Sequence, residues 1–135
     1  MDNKEAARRL YETLNRVLET GDVSLLDAVM DPRAVDHHPD PGQSPGLDGI
    51  KKGFLEFRAA FPDLRFTIED LIAEGDKVAC RLSTRGTHRG TFLGVPATGR
   101  DVEQRGIDLL RFSVGRMIER WGEFDTLRLL RRIQP

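Results

Sequence analysis

Near its C-terminus the chain reads Glu119-Arg120-Trp121-Gly122-Glu123-Phe124-Asp125. Side chains alternate along a strand, so Glu119, Trp121, Glu123 and Asp125 share one surface of indole and carboxylates. If that surface lines a pocket, a carboxylate beside Trp121 and aliphatic walls is desolvated. Desolvation raises its pKa and makes it a proton acceptor near neutral pH. Glu123 and Asp125 are both placed for this work; the alternative for each is a strand-end ion pair with Arg105, Arg111 or Arg120. For Glu119, which faces Arg111 across the hairpin, the ion pair is the preferred reading.

The imidazoles are the second group that could move protons, because imidazole titrates nearest neutral pH. His37 and His38 are adjacent and point to opposite faces if the segment is extended, so at most one of them enters a pocket. His38 is favoured, orienting a substrate oxygen or exchanging a proton with it, against the alternative of a loop histidine bonded to backbone. His88 either donates to a substrate carbonyl or pins the bend from Gly86 to Gly90. Asp108 stands in the middle of an apolar strand, where a carboxylate needs a reason: it lines the pocket or pairs with an arginine.

Other chemistries lack their motifs. There is no His-x-x-x-His or cysteine pair for zinc, so no metal is expected. No phosphate loop or dinucleotide fingerprint occurs, so no nucleotide cofactor is expected. The serines lack a nucleophile-elbow context and Cys80 reads as strand core, which disfavours covalent catalysis.

The elements that must position these groups follow from periodicity. Leu10, Leu14, Val17 and Leu18, with Ala6 and Ala7 a turn earlier, predict an amphipathic helix from Asn3 to Glu19, stopped at Thr20-Gly21-Asp22. Asp22 or Ser24 caps a short helix containing Leu25, Leu26, Ala28 and Val29, closed at Asp31-Pro32. Val35 to Gly49, rich in proline and glycine, reads as a strand end plus a loop. Ile50, Phe54, Phe57 and Phe61 predict a helix over Asp48 to Ala60 that forms part of a cavity lid. Phe66 to Ala73, Lys77 to Thr87, Val102 to Phe112 and Met117 to Thr126 read as four strands of an antiparallel meander. Helices first and strands afterwards favour an α+β class over an alternating one.

The 135 residues are the size of a single domain over the whole chain, 1–135, able to bury roughly two thirds of its unfolded surface. A formal net charge of -1 offers no footprint for nucleic acid or an anionic membrane. The basic ending Arg128 to Arg132 reads as a solvated terminus. Charged residues fill the N-terminus where a signal peptide needs an apolar run, and no segment approaches about 18 uncharged apolar residues. One cysteine suits a reducing compartment. A soluble, cytoplasmic protein without membrane partners is the expectation.

Several segments together, in order, resemble the SnoaL-like polyketide cyclases of the nuclear transport factor 2-like superfamily. They are Asp36-His37-His38-Pro39, Phe61-Pro62-Asp63-Leu64, Glu74-Gly75-Asp76-Lys77-Val78, Gly86-Thr87-His88-Arg89-Gly90, Gly94-Val95-Pro96-Ala97-Thr98-Gly99-Arg100 and Trp121 to Asp125. The resemblance spans Ala6 to about Ile133. It implies a cone in which N-terminal helices pack on the concave face of a curved antiparallel sheet. It further implies ring closure by intramolecular aldol condensation of an apolar substrate, without a cofactor. The family's acid/base is an Asp near the end of the last strand, which makes Asp125 the first choice for the base. The related epoxide hydrolases carry a Trp-x-acid arrangement that makes Glu123 the second. Their Arg-x-Asp element finds no counterpart around Arg89 to Leu93. His38 or His88 would support the oxyanion, while Trp121, Phe54, Phe57, His88 and Asp108 would contact substrate. Relatives commonly form homodimers through the convex face, so a homodimer is expected. An isomerase or hydrolase on the same scaffold, or a non-catalytic protein that sequesters an apolar metabolite, remain the alternatives.

Overall fold

A computed structural model describes the chain from Met1 to Gln134. Helix α1, Asn3–Thr20, begins where the Asp2 carboxylate accepts the Glu5 N–H at 2.8 Å and ends at Gly21, whose φ of 76° lets its N–H return to Val17 O. Its buried stripe of Ala6, Leu10, Tyr11, Leu14 and Val17 lies at helical spacing. A 3₁₀ turn, Val23–Ala28, leads into strand β1, Met30–Asp36. Helix α2, Gly46–Ala60, starts after Pro45, slightly before the expected Asp48.

Strands β2, Arg65–Glu74, β3, Lys77–Thr87, β4, Asp101–Ser113, and β5, Arg116–Phe124, pair antiparallel in sequence order. The expected meander is present, and the α+β class with it. The sheet has a fifth member: β1 lies parallel to β5, giving the order β1-β5-β4-β3-β2. The expected wholly antiparallel sheet is corrected on this point. The segment read as a strand end is an edge strand: α2 carries the chain from β1 to β2 at the far edge, and the three hairpins of the meander bring β5 back beside β1, running in the same direction.

The C-terminus departs from expectation more consequentially. Strand β5 stops at Phe124, and Thr126–Ile133 forms helix α3. The stretch read as a solvated basic terminus buries Leu129 and Ile133 against Ala60, Phe61 and Val102, while its arginines stay outside. Leu129 and Ile133 are four residues apart, one helical turn, so a short amphipathic helix closes the end of the cone.

The main core lies between α1, α2 and the inner face of the sheet, where Val78, Cys80, Leu82, Leu110 and Met117 alternate with outward residues. A bulge between Arg111 and Phe112 of β4 leaves Ile118 unopposed on β5. Met117 therefore faces inward and, past the extra residue, so do Arg120, Gly122 and Phe124. Among the described residues no helix is long and apolar enough to cross a membrane.

Candidate active site

The helices and the concave face of the sheet enclose a cavity of about 290 Å³. Leu10 and Leu14 of α1, Phe54 and Phe57 of α2, and Phe66 and Leu110 of the sheet supply much of its apolar wall. Polar groups gather at one pole, contributed by the end of β1, the middle of β4 and β5, Tyr11 of α1 and the loop after β1.

Arg120 is the hub of this pole. Its Nε donates to Asp108 Oδ1 at 3.0 Å and its Nη1 to Asp36 Oδ1 at 2.9 Å, with a longer contact to the His38 carbonyl at 3.4 Å. Tyr11 of α1 donates its hydroxyl to Asp108 Oδ2 at 2.6 Å. Asp36 also accepts from the His38 N–H at 3.0 Å and from Gln43 Nε2 at 3.2 Å. Both oxygens of Asp108 are thus occupied, and Asp36 is held on three sides. Burial pushes the Asp108 carboxyl up, against the pull of Arg120 and Tyr11. Burial also holds the Tyr11 phenol well above its ordinary value, reinforced by the Asp108 charge. For Arg120, burial works against the cation, but Asp108 and Asp36 more than offset it and raise its pKa. Two acids therefore lock one guanidinium against the cavity floor, and the Tyr11 phenol holds one of those acids in place.

Gly122 makes room for this arrangement. It pairs with Asp108 across the β4–β5 ladder, and a β-carbon at Gly122 would overlap Arg120 Nη2 and Asp108 Oδ1. Arg120 Nη2 donates to no described residue. At the mouth, Gly122 N–H donates to His38 Nδ1 at 2.9 Å, so the neutral ring carries its proton on Nε2. Asp40 stands beside it on the cavity wall, and its carboxylate accepts a hydrogen bond from no described residue. Desolvation raises the Asp40 pKa, with Arg120 opposing and the Asp36 charge adding to the rise.

The residues expected from sequence divide sharply. Asp108 lies on the floor, His38 at the mouth, and Phe54 and Phe57 on the wall. Asp125 does not reach the cavity: it is exposed, and its Oδ1 caps α3 by accepting the Arg128 N–H at 3.0 Å. Glu123 stands at the rim with its side chain 87% exposed, 3.7 Å from His38 Nε2. Trp121 is on the convex face, where His37 stacks on it at 4.7 Å between ring centroids and Lys77 approaches its ring. The strand face that carries Glu119 and Trp121 is therefore the outer one, Glu123 borders the cavity only at its rim, and Asp125 lies beyond the strand. The register explains it: Trp121 opposes Leu109 and Gly122 opposes Asp108, so an inward Asp108 forces Trp121 outward. His88 is fully buried behind the wall, its Nδ1 3.0 Å from Thr98 Oγ1 and 3.3 Å from the Thr98 nitrogen, holding the loop from Arg89 to Arg100. It packs on Phe61 and does not line the cavity.

Tyr11 and Asp40 are not among the residues singled out in the sequence, which named Arg120 only as an ion-pair partner and Asp36 only within the Asp36-His37-His38-Pro39 segment. Tyr11 was legible as a polar tip on an apolar helix stripe, which needs a buried partner. A glycine and an arginine near an acid in the middle of a neighbouring strand were a weaker signal. Nothing local distinguished Asp40 from other loop acids. Among the described residues no group of three His, Cys, Asp or Glu side chains is gathered to hold a metal ion.

The family model of SnoaL-like polyketide cyclases matches residues 8–133. The chain belongs to the SnoaL-like polyketide cyclase family. Its structure is similar to that of TsrD from Streptomyces laurentii, at 29% identity and a TM-score of 0.86, covering 98% of this chain and 97% of that one. It is also similar to IdmH from Streptomyces antibioticus, a candidate polyketide cyclase, at 32% identity and a TM-score of 0.82, covering 98% of each chain. AclR from Streptomyces galilaeus, a candidate hydroxylase, matches at 28% identity and a TM-score of 0.80, covering 98% of this chain and 82% of that one. No curated protein matches. The SnoaL-like assignment brings with it the nuclear transport factor 2-like cone, which the helices and the open, curved five-stranded sheet reproduce.

Proposed function

We propose that this SnoaL-like protein closes a ring in an apolar polyketide-type substrate by proton transfer without a cofactor, with Asp40 as the base. The observation that carries this reading is a carboxylate that borders the cavity beside its open mouth and accepts no hydrogen bond from a described residue; desolvation raises its pKa against the opposing charge of Arg120. Asp40 removes a proton from a carbon flanked by carbonyls. The electron pair delocalises onto an enolate oxygen, which the free Nη2 of Arg120 stabilises from a position fixed before the reaction. The carbanion attacks a second carbonyl held in a ring-closing conformer by the apolar wall. His38 Nε2–H hydrogen-bonds the new alkoxide, the proton held by Asp40 returns to that oxygen, and the product is an isomer of the substrate.

The same base and donor would serve an isomerase that returns the proton to a different carbon; ring closure against double-bond migration in the product separates the two. The convex face supports a homodimer in this reading, because Ile72, Ala79, Leu109 and Trp121 align in one row across four strands and Ile72 is 66% exposed.

Asp40→Asn tests the proposal. With a β-keto ester carrying a second carbonyl within ring-closing reach, turnover should fall at least about a hundredfold while the melting temperature holds. Undiminished turnover would remove Asp40 from the mechanism.

A further inference from the structure

One side chain fastens the loop that carries Asp40 to the Arg120 hub. Asp40-Pro41-Gly42-Gln43 is a tight turn, in which Gly42 has a φ of 82° and Gln43 N–H donates to the Asp40 carbonyl at 3.0 Å. A Pro–Gly pair gives this arrangement in a type II turn. An Asp that opens a turn commonly bonds the following backbone with its own carboxylate. Here the Gln43 side chain takes that place: its Oε1 accepts the Asp40 N–H at 3.2 Å. Both main-chain polar groups of Asp40 are therefore bonded to one residue, and its carboxylate is left to face the cavity mouth.

The same amide reaches in the other direction. Gln43 Nε2 donates to Asp36 Oδ2 at 3.2 Å, and Asp36 Oδ1 accepts from Arg120 Nη1 at 2.9 Å. Three hydrogen bonds in series thus run from the Asp40 main chain to the guanidinium. A hydrocarbon of equal length could occupy the place of Gln43 on the cavity wall and would make neither amide bond. Holding Asp40 on that wall also keeps it desolvated, which raises its pKa; Arg120 of β5 opposes the rise, while Asp36 of β1 and Glu56 of α2 add to it. His38 and Glu123 are the other titratable groups at this mouth. A carboxylate released from the wall gains water and ionises at lower pH.

We propose that Gln43 is a positioning residue for proton transfer, its amide tying the Asp40 turn to the Asp36–Arg120 pair and so fixing the carboxylate relative to the cation. This rests on Asp40 being the base, as in the reading above. A shift of about 1 Å in a reacting group is enough to cost a hundredfold in rate. Two modest hydrogen bonds at the mouth therefore have a leverage on turnover that they lack on stability.

The test reads proton removal alone, as loss of deuterium to water from a β-keto ester deuterated between its carbonyls, followed across pH. Gln43→Met removes both amide bonds at nearly the same length. At saturating ester its rate should fall about tenfold with KM changed less than about twofold, the acid limb of its kcat/KM profile should move to lower pH, and its melting temperature should hold. Gln43→Glu keeps an acceptor for the Asp40 N–H but turns a carboxylate on Asp36, so it should also lose rate at neutral pH; a residue that only closed the turn would tolerate this change. In the Asp40→Asn protein, Gln43→Met should cause no further loss. Wild-type rates in either Gln43 variant, an unmoved acid limb or a lowered melting temperature in Gln43→Met, or a further loss in the double variant would each overturn the proposal, and would leave Asp40 as the base wherever Asp40→Asn is itself deficient. Undiminished exchange in Asp40→Asn, or none above the buffer rate in the wild-type protein, would overturn both readings together.

Discussion

At the scale of single residues, position 125 shows how one change of backbone state reassigns a side chain. An Asp one residue past a strand end has left the alternation of that strand, and its short carboxylate bonds the nitrogen three residues on, as Asp125 does with Arg128. Asp and Asn are equivalent helix caps, whereas only Asp is a base. Asp125→Asn is therefore expected to retain both activity and melting temperature, and Asp125→Ala to retain activity while losing about 1 kcal/mol of stability. Kinetics with thermal or denaturant unfolding checks both; a hundredfold loss of turnover in the Asn variant would restore Asp125 as the base.

At the scale of elements, the β4–β5 hairpin sets the chemistry. Its bulge beside Arg111 changes the inward parity of β5, so that Arg120 rather than Trp121 meets Asp108. Gly122 then leaves open the volume that the guanidinium and carboxylate occupy. Gly122→Ala is expected to displace Arg120 from Asp108 and leave buried charges poorly paired, at a cost of about 3 kcal/mol or more. Turnover should fall in parallel because Nη2 leaves its place. Unfolding curves together with kcat measure this, and an alanine variant with wild-type stability would show that the pair relaxes freely. The periodicity of α1 and α2 was plain in the sequence because each has one apolar stripe. The bulge was not, since an inserted residue leaves no compositional trace.

At the scale of the whole molecule, the outer face of the cone is tied together by a separate set of charges. Glu119 of β5 bridges the residue that follows β1 to β4: His37 Nε2 lies 2.8 Å from Oε2, and Arg111 Nε donates to Oε1 at 2.6 Å. The His37 and Arg111 hydrogen bonds hold the Glu119 pKa below its ordinary value. A carboxylate whose folded pKa is lowered stabilises the fold above its unfolded pKa of about 4.3, and that contribution disappears as pH falls through the folded value. Glu119→Gln should therefore melt below the wild-type protein at neutral pH, with the difference shrinking as pH falls through that acid window. Melting temperatures recorded from neutral pH downwards check this, and a difference independent of pH would assign the effect to packing.

The sequence by itself determined the helical stripes, the four antiparallel strands, the α+β class and, through ordered motifs, the family, because these depend on local period and composition. It also singled out His38, Asp108, Phe54 and Phe57, which line the cavity, and Glu123, which borders it at the rim. Only the tertiary structure decided which face of β5 is inside, that Asp125 caps a helix, and that Tyr11, Asp36, Asp40, Asp108 and Arg120 meet at one pole. Alternation along a strand groups side chains into two faces but carries no label for inner and outer. That label comes from register with the neighbouring strand and from the helices that cover one side.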